Sequence, residues 1–178
     1  IVHRDIKPAN IMLDENDDVL LMDFGLTSRQ EPQRKLTNDG SLLGTPAYMA
    51  PEHAAGQRGE AQPASDQYAL GVILYELLTG GTPLERQQMK LAAFNEILRL
   101  IKEVEPPKPS TRLSSSQNLP SIAAQRSIEP SQLKRSVTGD LDWIVMKALD
   151  KERSRRYETA NGLARDVERF LNDEAVEA

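Results

Sequence analysis

Apolar and polar positions alternate in a way that marks the first element within two dozen residues. Ile11-Met12-Leu13 is followed by a polar cluster, Asp14-Glu15-Asn16-Asp17-Asp18, and then by Val19-Leu20-Leu21-Met22. Two short apolar runs around a turn-forming cluster predict a β-hairpin. Residues 27 to 49, rich in Thr, Ser, Gln, Arg and Gly, read as a long surface loop. From Asp66 to Gly80 the chain is apolar on most helical faces and is stopped by Gly80-Gly81 and Pro83, which predicts a buried central helix. Charged residues alternate with Leu and Ile at helical spacing over 85 to 104, predicting an amphipathic surface helix that Pro106-Pro107-Lys108-Pro109 ends. The Ser-rich stretch 110 to 121 has little to bury, and about 106 to 121 is expected to be a mobile insertion. Short helices are expected at 122 to 128 and 130 to 137, and firmer ones at about 140 to 149, with Trp143 in the core, and 160 to 172. No internal repeat is visible. The pattern as a whole predicts a mainly α fold carrying one small β-hairpin.

Composition narrows what such a fold can do. At 178 residues there is room for one domain, or part of one. The 22 basic and 27 acidic residues give a net charge of −5. This balance argues against a general nucleic-acid binder, whose affinity comes mainly from neutralising phosphates, and leaves room for a local basic pocket. The absence of cysteine removes thiolate nucleophiles, thiolate metal sites and disulfides, and suits a reducing compartment. No run reaches the roughly 18 to 20 apolar residues that cross a bilayer; the longest candidate, Tyr68 to Leu78, is broken by Gly71 and Glu76. The chain starts at Ile1 with no basic and apolar leader, so no signal peptide is read. A cytoplasmic location is the default expectation.

The chemistry is concentrated near the start, in His3-Arg4-Asp5-Ile6-Lys7-Pro8-Ala9-Asn10 and in Asp23-Phe24-Gly25. A hairpin between them returns the chain to its origin and brings Asn10 close to Asp23, two oxygen donors of the kind hard divalent cations take. A lone Asp-Phe-Gly is most often a turn, and a lone His-Arg-Asp a solvated polar loop. Their joint occurrence is another matter, because each further fixed position matches by chance roughly one time in twenty. Together they resemble the catalytic loop and magnesium-binding triplet of protein kinases. Gly44-Thr45-Pro46-Ala47-Tyr48-Met49-Ala50-Pro51-Glu52 is similar to the end of a kinase activation segment, and Asp66 to Gly80 to the long helix beneath the active site.

The resemblance implies a role for each residue. Asp23 would hold the metal on the nucleotide phosphates and Asn10 the second ion, the cofactors being ATP with Mg2+ or Mn2+. Asp5 would orient the acceptor hydroxyl and take its proton, and Lys7 would meet the transferred phosphate, a choice that matches the serine/threonine branch. Thr45 would line the acceptor pocket. Asp66 would accept backbone hydrogen bonds from the His3-Arg4 turn, and His3 would stack with Phe24, which Gly25 follows. Met12, Ile73 and Leu77 would pack below the adenine. Glu52 would pair structurally with Arg156. Arg4 before Asp5 implies control by phosphorylation, with Ser41 or else Thr37 as the modified residue. His53 reads as a loop residue.

In this frame residues 1–173 are a partial kinase domain: catalytic loop 3–10, activation segment 23–52, and helical subdomain 66–173 with its insertion. Residues 174–178 would begin a C-terminal extension. The implied fold is the C-terminal lobe of the kinase fold, α+β and truncated at its N-terminus. Gly81-Thr82-Pro83-Leu84, Glu105 to Arg112 and Leu141 to Leu149 resemble bacterial serine/threonine kinases of the planctomycete type.

A glycine-rich loop over the phosphates, a strand lysine and its helix glutamate are all lacking. Residues 1–178 alone are therefore expected to bind ATP weakly, transfer phosphate negligibly, and expose an apolar face of the central helix. The implied partners are protein substrates with Ser or Thr acceptors, the missing N-lobe of the same polypeptide, and C-terminal repeat or membrane-anchored domains, with no nucleic acid. The competing expectation is a non-catalytic, kinase-derived scaffold. A P-loop hydrolase is excluded because no Gly-x-x-x-x-Gly-Lys-Ser/Thr occurs.

Overall fold

The computed structural model describes residues 2–23, 46–56, 63–84, 89 and 92–178. Strands β1 (Ile11–Leu13) and β2 (Val19–Leu21) form the expected antiparallel hairpin, with Ile11 opposite Leu21, Met12 opposite Leu20 and Leu13 opposite Val19. Its turn is built by Asp14, whose Oδ1 accepts from the Asn16 and Asp18 N–H groups at 2.8 and 2.9 Å. Both backbone donations hold the Asp14 carboxyl below its ordinary pKa.

Beyond it the described elements are helices: α1 (Pro51–Ala54), α2 (Pro63–Thr79), α3 (Phe94–Glu103), α4 (Pro109–Ser115), α5 (Leu119–Gln125), α6 (Pro130–Val137), α7 (Asp140–Ala148) and α8 (Ala160–Leu171). Four of them begin with Pro and α5 carries Pro120 at its second position, where the fixed φ and missing N–H suit a first turn. Helix α2 is the axis of the fold. Its Tyr68, Val72 and Tyr75 pack on Val145 and Leu149, and a Cβ at Gly71 would stand 2.8 Å from the Cβ of Ala148. Only glycine lets α2 and α7 approach this closely.

Several expectations need correcting. The segment expected to be a mobile insertion is instead largely helical, in α4 and the start of α5. Its serines find partners: Ser110 donates through N and Oγ to the buried Asp142 at 2.9 and 2.5 Å, while Leu113 is fully buried. Low hydrophobicity concealed one well-placed leucine and a satisfied polar contact. Trp143 is not core but 52 % exposed. The buried stripe of α7 is Leu141, Ile144, Val145 and Ala148, and Trp143 falls off it. His53 lies in α1 rather than in a loop. The amphipathic helix α3 starts at Phe94; of residues 85–93, positions 85–88, 90 and 91 lie outside the described residues.

Candidate active site

The loop from His3 to Asn10 is fastened to α2 by one carboxylate. Asp66 accepts from His3 N at 2.7 Å through Oδ2 and from Arg4 N at 2.9 Å through Oδ1. Arg4 needs that support, because its φ of 74° lies in the left-handed region that costs a side-chain-bearing residue about 1–2 kcal/mol. His3 is buried and ties the loop to the hairpin. Its Nδ1 accepts from Asp5 N at 3.3 Å, so Nε2 carries the proton and donates to Met22 O at 2.7 Å. Met22 N in turn donates to Asn10 O at 2.9 Å. These bonds put Asn10 beside the residue preceding Asp23.

Asp5, Lys7 and Asn10 converge. Lys7 Nζ donates to Asp5 Oδ2 at 2.7 Å; Asn10 Nδ2 donates to the same oxygen at 3.1 Å and to Asp5 O at 2.7 Å. Both side chains of the ion pair remain partly accessible. The two donors fix the carboxylate plane through one oxygen and leave Oδ1 without a hydrogen bond among the described residues. That oxygen can accept from an incoming hydroxyl. Asn10 spends its amide nitrogen on Asp5, which leaves its amide oxygen as the acceptor end.

Asp23 is exposed and, with φ of 62°, also left-handed. The exposed Asp23 carboxylate and the Asn10 amide are oxygen donors of the kind that suits a hard cation keeping several waters. Among the described residues no cluster of three or more His, Cys, Asp or Glu could hold a metal by itself. Phe24, Gly25, Thr37, Ser41 and Thr45 lie outside the described residues. Met12 and Leu77 are exposed and Ile73 is half-buried; none belongs to a core cluster. Leu13, Val19, Leu20 and Met22 of the hairpin are exposed as well.

Glu52 on α1 is joined to Arg156, which also reaches the start of α2, the helix that carries Asp66. Arg156 Nη1 and Nη2 reach Glu52 Oε1 and Oε2 at 3.1 and 2.9 Å, with both side chains buried. Nη1 also donates to Ala64 O at 2.9 Å and Nε to Asp150 O at 2.7 Å, while the guanidinium stands 5.0 Å from the Tyr68 ring centre. Burial pushes the Glu52 carboxyl up, but hydrogen bonds from Arg156 and Ser65 outweigh it and hold it below its ordinary value. No local pattern marks Ser65, whose Oγ donates to Glu52 at 2.6 Å, or the Tyr48 hydroxyl, which donates to Glu76 on α2 at 2.5 Å. Both are contacts between separate segments.

The model of the protein kinase domain matches residues 1–166. The chain belongs to the protein kinase family. Its helical subdomain and small hairpin fit the C-terminal lobe of that fold. The kinase-like chain is 34% identical over 179 residues to serine/threonine-protein kinase PknB of Mycolicibacterium smegmatis, aligning over 100% of its own length and 24% of the relative's. PknB of Mycobacterium leprae is 33% identical over 178 residues, with 100% and 24% covered. A probable serine/threonine-protein kinase of Streptomyces coelicolor is 34% identical over 179 residues, with 100% and 22% covered. The chain thus spans about a quarter of the length of the curated relatives it matches. Among the described residues no helix is long and apolar enough to cross a membrane.

Proposed function

We propose that this chain supplies the catalytic-loop half of a serine/threonine protein kinase, transferring the γ-phosphoryl group of ATP to Ser or Thr hydroxyls of proteins. The observation that carries the reading is Asp5, held through Oδ2 by Lys7 and Asn10 with Oδ1 open. Asp5 orients the acceptor hydroxyl and takes its proton as the new O–P bond forms and the bond to the ADP leaving oxygen breaks. Because the transition state is loose, Asp5 contributes more by orientation than by basicity. Lys7, already beside Asp5, moves its charge to the transferred phosphoryl oxygens. Asn10 and Asp23 would hold Mg2+, which neutralises phosphate charge when bound.

The wider assignment follows from the same reading. Residues 1–173 are the C-terminal part of a kinase domain with catalytic loop 3–10 and activation segment 23–52. The glycine-rich loop and strand lysine would come from the rest of the polypeptide, in which repeat or membrane-anchored domains are also proposed. Thr45 lines the acceptor pocket, and phosphorylation of Ser41, or of Thr37, recruits Arg4. Glu76, beneath Tyr48, favours basic residues near the acceptor.

The intact polypeptide, incubated with γ-labelled ATP, Mg2+ and a mixed protein substrate, should place label on serine and threonine, and Asp23→Ala should abolish it. Label on tyrosine, or full transfer by Asp23→Ala, would overturn the assignment.

A further inference from the structure

Residues 172–178 do not trail away from α8. Glu174 N donates to Arg169 O at 2.8 Å and Asp173 N to Phe170 O at 3.3 Å, with Asp173 at a φ of 56°. This is a Schellman turn with aspartate at the left-handed position, and it sends the chain back along the helix. Val176 is half-buried against the cluster that contains Tyr157 and Leu163. Glu177 is then fastened at three polar groups. Its N–H donates to Asp166 Oδ1 at 2.8 Å, its carbonyl accepts from Lys147 Nζ at 3.0 Å, and its carboxylate accepts from Arg169 Nη2 at 2.6 Å.

The residue that receives this tail is itself buried. Asp166 is 1 % exposed and also accepts from Arg169 Nη1 and from the Tyr157 hydroxyl, each at 2.9 Å. Lys147 lies 4.5 Å from the Tyr157 ring centre, so Tyr157 is gripped at its ring and at its hydroxyl by the two groups the tail touches. Tyr157 directly follows Arg156, the partner of Glu52.

We propose that residues 173–177 form a built-in latch: docked between α7 and α8, they hold Tyr157 and thereby steady the Arg156 anchor of the active site. Undocking removes one donor from the buried Asp166 and releases Lys147 from the Glu177 carbonyl, and because a buried carboxylate short of a donor is costly, the Asp166–Tyr157 contact opens to water more readily. The loosening is felt first at Tyr157 and then along the backbone of the Arg153–Arg156 turn. The latch is a property of the fold, so its test does not depend on catalysis.

Hydrogen exchange on the intact polypeptide reads it. Val176→Asp puts a charge where an apolar side chain is half-buried, and should accelerate exchange at the Arg155 and Arg156 amides, bonded to Glu152 and Arg153 carbonyls, by about tenfold or more. Amides at Val72 and Tyr75 in α2 should stay within about twofold of their original rates. Asp173→Gly relieves the left-handed residue and should slow the same Arg155 and Arg156 amides. Acceleration confined to residues 174–177, unchanged exchange throughout, equal acceleration in α2, or no slowing with Asp173→Gly would each overturn the latch.

Discussion

Removing the Arg156 guanidinium should be among the most damaging single changes in this fold. Arg156 makes four hydrogen bonds between 2.7 and 3.1 Å, two of them to Glu52, and its side chain is 0 % exposed against 5 % for Glu52. Arg156→Ala leaves Glu52 with the Ser65 hydroxyl as its remaining side-chain donor. An uncompensated buried charge of this kind costs about 3–5 kcal/mol, a large share of the roughly 5–15 kcal/mol that holds a domain together. The pH dependence should reverse with it. In the native protein the Glu52 pKa is depressed, so its contribution is present above the unfolded value and lost as pH falls through the folded one. In the variant, burial without the cation raises the Glu52 pKa, and the penalty shrinks as pH falls towards the unfolded value because the carboxyl takes up a proton. Urea unfolding of the intact polypeptide across about pH 3 to 8, with Glu52→Gln added to Arg156→Ala as partial rescue, measures both effects. A native-like midpoint for Arg156→Ala, or a penalty that neither pH nor the second substitution relieves, would refute the reasoning.

Three further changes probe the scaffold. Gln67 is fully buried and neither Oε1 nor Nε2 has a partner among the described residues, so Gln67→Leu, similar in size and free of those groups, should stabilise by about 1–3 kcal/mol in thermal unfolding; a lowered midpoint would contradict this. Gly71→Ala forces a Cβ to 2.8 Å from Ala148 Cβ and should cost about 1–3 kcal/mol in the same assay, unless α2 and α7 can part without loss. Asp66→Ala deletes two hydrogen bonds to a charged acceptor, worth about 1.5–3 kcal/mol each. It should release the His3 and Arg4 amides to fast exchange, and unchanged protection there would sever the loop from α2.

The hairpin, the central helix and the helices from Pro130 onward were legible because each carries its own signal: paired short apolar runs, a broad apolar face, or an apolar stripe at helical spacing. The α4 segment was not, since its three serines outweigh Leu113 and Asp142, which satisfies Ser110, is 32 residues distant. Trp143 misled for a related reason: residue type argues for burial, but only the register of α7 decides which face it occupies. At the site, Asp5, Lys7 and Asn10 fall within six residues, so their convergence on one carboxylate follows from local chain geometry. The pairings of Ser65 with Glu52 and of Tyr48 with Glu76 depend on how segments pack, as does the return of the tail onto Asp166. None of these leaves a mark in local sequence.

The central claim is that Asp5, steadied through one oxygen and open at the other, sets up the acceptor hydroxyl for phosphoryl transfer. Single-turnover transfer from labelled ATP by the intact polypeptide, wild type against Asp5→Asn, tests it most directly when ATP affinity is measured in parallel. The account predicts a rate reduced by about 10²-fold or more with ATP affinity essentially unchanged. An undiminished rate, or a loss that merely tracks weaker ATP binding, would contradict it.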